Sequence, residues 1–189
     1  MRTRPGKARL ALLLPLIVLA APAIAATPFI ERIDSAGLRL ADTKKNFDTV
    51  VQESLFVNFT TPWKWVSEKN TSAAIRLTLD VGRLRDEEMQ RSFVSFGPTV
   101  RIMRERSRVP LFLDLGLSPT IIDGVKYGAE DLGTSFNFTS HIGVGFLLGA
   151  HRQHEIKVRF QHTSNGGIDK INPGVDMLGV DYAFRLSSR

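Results

Sequence analysis

The sequence predicts an all-β fold, an eight-stranded antiparallel transmembrane β-barrel, and three observations predict it. Eight successive segments alternate apolar and polar residues with a period of two, the spacing at which side chains on a strand share a face. No convincing amphipathic helix lies between those segments. The chain also opens on an export signal, and a sheet that crosses a membrane must close on itself because an open edge cannot be left unpaired in lipid.

The signal is read from its three parts. Arg2, Arg4, Lys7 and Arg9 form a basic start, the stretch from Leu10 to Ala21 is apolar, and Ala23-Ile24-Ala25 supplies small residues for cleavage. The apolar stretch contains Pro15 and is bounded by Pro22, too short and broken for a transmembrane helix. Residues 1–25 are therefore expected to be removed, leaving 26–189 as one barrel domain. The net charge of +6 falls to +2 without the four leader cations, 21 basic residues against 19 acidic. The basic character thus belongs mostly to the leader and gives no support for nucleic-acid binding. With no cysteine, neither disulfides nor thiolate metal sites hold the fold.

The segments follow in order. The first is short, with Leu38 and Leu40 flanking Arg39. The second sets Val51, Leu55, Val57 and Phe59 against Gln52, Ser54 and Asn58. The third sets Ile75, Leu77, Leu79 and Val81 against Arg76, Thr78 and Asp80. The fourth sets Val94, Phe96, Val100 and Ile102 against Ser95, Thr99 and Arg101, and the fifth Leu111, Leu113, Leu115 and Leu117 against Asp114 and Ser118. The sixth runs Phe136, Phe138, Ile142, Val144, Phe146, Leu148 against Asn137, Thr139 and His141. The seventh opposes Val158, Phe160, His162 and Ser164 to Arg159, Gln161 and Thr163. The eighth opposes Leu178, Val180, Tyr182, Phe184 and Leu186 to Asp181 and Arg185.

A soluble sandwich or barrel would alternate too, with its apolar face turned inward. The size of the apolar residues and the mixed charges opposite them favour the membrane form. Arg39, Arg76, Asp80, Arg101, Asp114, Arg159, Asp181 and Arg185 can pair across the narrow interior of a small barrel. Each segment has about 8–12 residues, the length of a tilted membrane-crossing strand. With both ends in the periplasm, residues 104–108 and 149–153 are expected as periplasmic turns. Residues 84–90, 123–134 and 165–174 are expected as outer loops, and 60–72 looks long for a turn. Trp63 and Trp65 in that stretch suit a membrane interface.

One constellation carries chemistry. His162 and Ser164 share a face near the outer end of the seventh segment, and Asp176 has the parity of the apolar row on the returning eighth. All three project toward lipid, where polar groups are costly without partners. A serine hydroxyl needs a base to accept its proton, neutral histidine serves, and a carboxylate on the other ring nitrogen fixes the tautomer. Asn165-Gly166-Gly167 offers amide donors for an oxyanion. The competing reading makes them ordinary rim polar residues.

The segment from Phe136 to Phe146, the run Arg159-Phe160-Gln161-His162-Thr163-Ser164-Asn165-Gly166-Gly167-Ile168, and Asn172-Pro173-Gly174-Val175-Asp176 resemble the PagL-type lipid A 3-O-deacylase family. The resemblance is strong over about the last 55 residues and elsewhere lies in strand pattern. It implies an outer-membrane barrel of eight strands with its site toward the outer leaflet. It also implies Ser164 as nucleophile, His162 as base and Asn165 as oxyanion support. The family's acid, often glutamate, falls on Asp176, twelve positions after the serine and one methylene shorter. The implied reaction is hydrolysis of the ester-linked 3-hydroxyacyl chain at position 3 of lipid A, with lipopolysaccharide as substrate and no cofactor or metal. Two alternatives stand beside it: a non-enzymatic barrel serving as scaffold or adhesin, and a phospholipase-like esterase.

Other polar groups have plainer expectations. His141 points inward and hydrogen-bonds in the lumen. His151 and His154 lack carboxylate or thiol partners for a metal. Asp86-Glu87-Glu88 and Glu130-Asp131 are solvated loop charges or cation bridges to lipopolysaccharide. Gly143 and Gly145 make room for bulky interior neighbours.

Overall fold

The computed structural model describes residues 30–45, 48–105, 107–127 and 130–186, so the export signal expected at 1–25 lies outside the described residues. Strands β1 (Arg32–Lys45), β2 (Asp48–Val66), β3 (Thr71–Arg85), β4 (Gln90–Arg104), β5 (Leu111–Ile122), β8 (Phe136–Leu148), β9 (His154–Ser164) and β10 (Val175–Arg185) close into one barrel. A small hairpin, β6 (Lys126–Tyr127) and β7 (Glu130–Asp131), sits in the loop between β5 and β8. All neighbours are antiparallel, and β1 pairs with β10 to remove the sheet edge.

The alternation sorts the side chains as expected. Leu40, Leu55, Ile121, Val144, Val158 and Leu178 are each more than half exposed on the outer wall. Inside lie five buried cations (Arg39, Arg76, Arg101, Lys157, Arg159) and five buried carboxylates (Asp34, Asp80, Asp114, Glu155, Asp181) among the described residues, so their charges balance. Arg101 grips Asp114 through two hydrogen bonds of 2.8 and 2.7 Å and Glu155 through two of 2.6 Å. Arg39 is bidentate to Asp181 at 2.7 and 2.9 Å and also bonds Asp80. Lys157 bridges Asp114 and Asp181, each at 3.1 Å. Desolvated charges persist only when partnered in this way. Phe56 and Phe112 turn inward and stack on Arg39 and Arg101 at 5.0 and 3.7 Å. Gly145 leaves the space that the Phe112 ring fills, and Gly143 leaves space for the Lys157 stem.

Near the loop rim the lumen is filled by apolar residues: Ala41, Val50, Leu84, Phe93, Ile122, Val175 and Met177 surround Leu132, which the β5–β8 loop folds inward. This packing fixes the loop rim from within, on the side where β9 ends.

Several expectations are corrected. The first strand is not short but runs over fourteen residues. A bulge between Ile33 and Ser35 turns both Asp34 and Ser35 inward and breaks the alternation there. The stretch 60–72 is not a long turn. β2 continues to Val66 across a register shift between Thr60 and Lys64, at Pro62, which cannot donate to a ladder, and the turn occupies only 67–70. Residues 84–90 form no long loop either. The connection is 86–89, where Asp86 Oδ1 accepts the Glu88 and Met89 amides at 2.8 and 2.5 Å. His141 does point inward, packed against Gly116, but its ring nitrogens have no hydrogen-bond partner among the described residues.

Candidate active site

The hairpin of β9 and β10 builds the site. Its register sets Asp176 directly opposite His162, and β8 sets Phe138 opposite Ser164 and Ser140 opposite His162. Cross-strand neighbours lie roughly 4.5–5.5 Å apart, so one row of the wall reads Ser140, His162, Asp176 across three strands. Phe160 and Leu178, 46% and 58% exposed, continue this face as apolar wall.

Within the row, His162 Nδ1 and Asp176 Oδ1 are 2.7 Å apart. The imidazole is also held from below. Gly174 has a φ of +68°, and a Cβ there would lie 2.4 Å from His162 Cε1 and 2.9 Å from Nε2. The ring edge therefore rests on the glycine, a position that needs hydrogen in place of a side chain on both steric and backbone grounds. With Nδ1 engaged by the carboxylate, Nε2 is the nitrogen left to exchange a proton. Ser164 stands on the same face, one side-chain step nearer the loop rim and half-buried. No hydrogen bond joins its hydroxyl to His162 among the described residues. Such contacts are often loose before substrate binds and tighten in the complex.

The Asn165 side chain turns inward. One residue beyond Ser164, it has opposite parity and is fully buried. Its side-chain Nδ2 donates to the carbonyls of Leu132 and Ile171 at 2.7 and 2.8 Å, and its Oδ1 accepts the Gly167 amide at 2.8 Å. Its own N–H goes to Asn172 Oδ1 at 2.9 Å. Asn165 thus ties the β9–β10 loop to the inward-folded Leu132, and neither side-chain hydrogen is left over for a substrate.

His154 lies at the opposite rim, where its Nδ1 is 2.9 Å from the Tyr182 hydroxyl and its ring packs on Phe184. It belongs to an aromatic belt there. Trp63 and Trp65 are exposed toward that same rim.

The family profile described as Lipid A 3-O-deacylase (PagL) matches residues 53–185, most of the barrel and the whole site. The chain belongs to the lipid A 3-O-deacylase (PagL) family. Lipid A deacylase PagL of Pseudomonas aeruginosa is 27% identical over 176 residues, covering 90% of this chain and 96% of that protein. Lipid A deacylase PagL of Bordetella bronchiseptica is 32% identical over 75 residues, a match to 40% of this chain and 41% of that protein. The crystal structure of the outer membrane enzyme PagL shares the fold with a TM-score of 0.67, at 20% identity, over 81% of this chain and 99% of that one.

In this PagL-family barrel, Gly174, Asn172 and Ser140 also border the His162–Asp176 pair and its loop. The first two were visible as part of the Asn172-Pro173-Gly174 motif, but not as the floor and the brace they form. Ser140 had a signal of its own: a hydroxyl interrupting the apolar outward row of β8.

Proposed function

We propose that this outer-membrane barrel, freed of residues 1–25, hydrolyses the 3-O-acyl ester of lipid A as a serine esterase acting from its outer wall. The carrying observation is the 2.7 Å contact between His162 and Asp176 on the membrane-facing wall, with Ser164 on the same face one side-chain step nearer the loop rim. Family membership supports the substrate. An acyl ester in the outer leaflet reaches such a wall by lateral diffusion, without entering the lumen, which charged and apolar side chains fill.

The steps follow from proton accounting. Ser164 Oγ attacks the ester carbonyl while its proton passes to His162 Nε2. Asp176 accepts the Nδ1–H, holds the tautomer and stabilises the imidazolium. As the intermediate collapses, the bond from the acyl carbon to the sugar oxygen breaks, and His162 returns the proton to that oxygen. Water from the rim then attacks the acyl-serine with His162 again as base, freeing the fatty acid and restoring the serine. Asn165 supports the oxyanion indirectly. Its bonds hold the turn, and the Gly166 amide, two residues beyond Ser164, makes no hydrogen bond among the described residues and is the donor we assign. No metal or cofactor enters these steps.

The test is release of 3-hydroxy fatty acid from lipopolysaccharide by the purified barrel in detergent micelles. Wild type is expected to release it, while Ser164→Ala and His162→Ala stay folded by heat-modifiable migration and release none. A wild-type barrel that releases fatty acid only from phospholipid contradicts the lipid A assignment. One that releases none from either lipid points to a scaffold or adhesin.

A further inference from the structure

Ser140 is a hydroxyl without a structural reason on the membrane side of the barrel. The outward row of β8 reads Phe136, Phe138, Ser140, Ile142, Val144, Phe146, Leu148, apolar at every position but one. Ser140 is exposed, and its hydrogen bond is a long 3.5 Å donation to the His162 carbonyl. A hydroxyl facing hydrocarbon with so weak a partner is costly. The row position would be better served by the valines, isoleucines and phenylalanines around it.

Its location suggests what the hydroxyl meets. β8 and β9 pair Phe138 with Ser164 and Ser140 with His162. Ser140 and His162 therefore lie one two-residue step, roughly 6.8 Å, farther from the loop rim than Ser164. Ser140 Cα is diagonal to Ser164 Cα by roughly 7–8 Å. An acyl chain whose carbonyl sits at Ser164 Oγ must run into the bilayer, away from the rim and along this same wall. The third carbon of the chain is two bonds beyond the carbonyl, so a hydroxyl on it falls between the Ser164 and Ser140 levels. On the β10 side Asp176 is occupied by the imidazole. On the β8 side stands Ser140.

Resting on the esterase reading above, we propose that Ser140 is a specificity-determining residue, whose hydroxyl hydrogen-bonds the 3-hydroxyl of a 3-hydroxyacyl chain and selects such chains over plain acyl chains. The ligand class is a β-hydroxy fatty acyl ester. Both hydroxyls donate and accept, so the pair needs no charge and survives at the membrane wall.

The experiment compares two esters of the same glucosamine phosphate, 3-hydroxymyristoyl and myristoyl, in detergent micelles. The readout is the ratio of their kcat/KM values for wild type, Ser140→Ala and Ser140→Thr. Loss of one neutral hydrogen bond predicts that Ser140→Ala lowers the preference for the hydroxylated ester by about 3- to 10-fold. Ser140→Thr keeps the hydroxyl in a strand-compatible side chain and is expected to retain most of the preference. A ratio that does not move in Ser140→Ala overturns the proposal, even where both rates fall, because a bond that merely braces β9 acts on both esters alike. Failure of the esterase reading is distinguishable: wild type would then cleave neither ester.

Discussion

Strands β9 and β10 carry two different chemistries on their two faces. Inward, Glu155, Lys157 and Asp181 are buried in the network with Arg39, Arg101 and Asp114, where each of these three carboxylates meets a cation within 3.1 Å. Outward, His162 and Asp176 form one contact, with side chains 43% and 64% exposed, and Ser164 beside them is not bonded to the imidazole. The inner face is dense, over-determined and balanced in charge. The outer face is sparse and leaves the Ser164 hydroxyl and a ring nitrogen of His162 available. A small barrel can therefore place its ion-pair network and its exposed polar groups one residue apart, since neighbours on a regular strand point to opposite sides.

Substitutions on the two faces should therefore separate activity from stability. The largest effect is expected on the outer face. Ser164→Ala should lower turnover by about 10⁴-fold or more, with the urea midpoint of the barrel in micelles unmoved. A shifted midpoint would break the separation. Asp176→Asn keeps the size of the side chain but loses its charge and its hold on the tautomer. Its expected loss is about 10³- to 10⁴-fold in kcat, and a loss under tenfold would point to a different acid.

On the inner face the prediction reverses. Asp114→Ala leaves Arg101 and Lys157 short of a buried partner and should cost about 3–5 kcal/mol of stability. This is measured by urea unfolding, while the folded fraction keeps its turnover. The smallest effect sharpens the boundary between the faces. Gly174→Ala introduces a methyl where the imidazole rests and strains a left-handed backbone, so turnover should fall by about 10²-fold through displacement of His162. A change in KM alone would mean that the glycine does not seat the ring.

Much of this was legible because the strand period is two. Parity alone puts Phe160, His162, Ser164 and Asp176 on the membrane side and Arg159, Asp181 and Arg101 inside, and the structure sorts them so. The same parity turns the Asn165 side chain, one residue after Ser164, inward, where it is buried. What stayed hidden depends on breaks in the period or on distant closure. The Asp34 bulge turns two consecutive residues inward and masks most of β1, and the irregularity at Pro62 conceals six further residues of β2 that reach Val66. Leu132 lies in a polar loop, and nothing local announces that it enters the lumen under the carbonyl contact of Asn165. Glu155 and Lys157 precede the seventh alternating segment as the sequence marks it, and only barrel closure puts Arg101 and Asp114 across from them.

The most direct test of a membrane-facing Ser164 nucleophile is the mass spectrum of lipid A from cells that carry the barrel, compared with cells carrying Ser164→Ala at equal membrane abundance. The wild-type barrel is expected to remove one 3-hydroxyacyl chain, and lipid A to stay intact with the variant. Lipid A that loses the chain equally with Ser164→Ala, or keeps it with the wild-type barrel, would rule out Ser164 as the nucleophile.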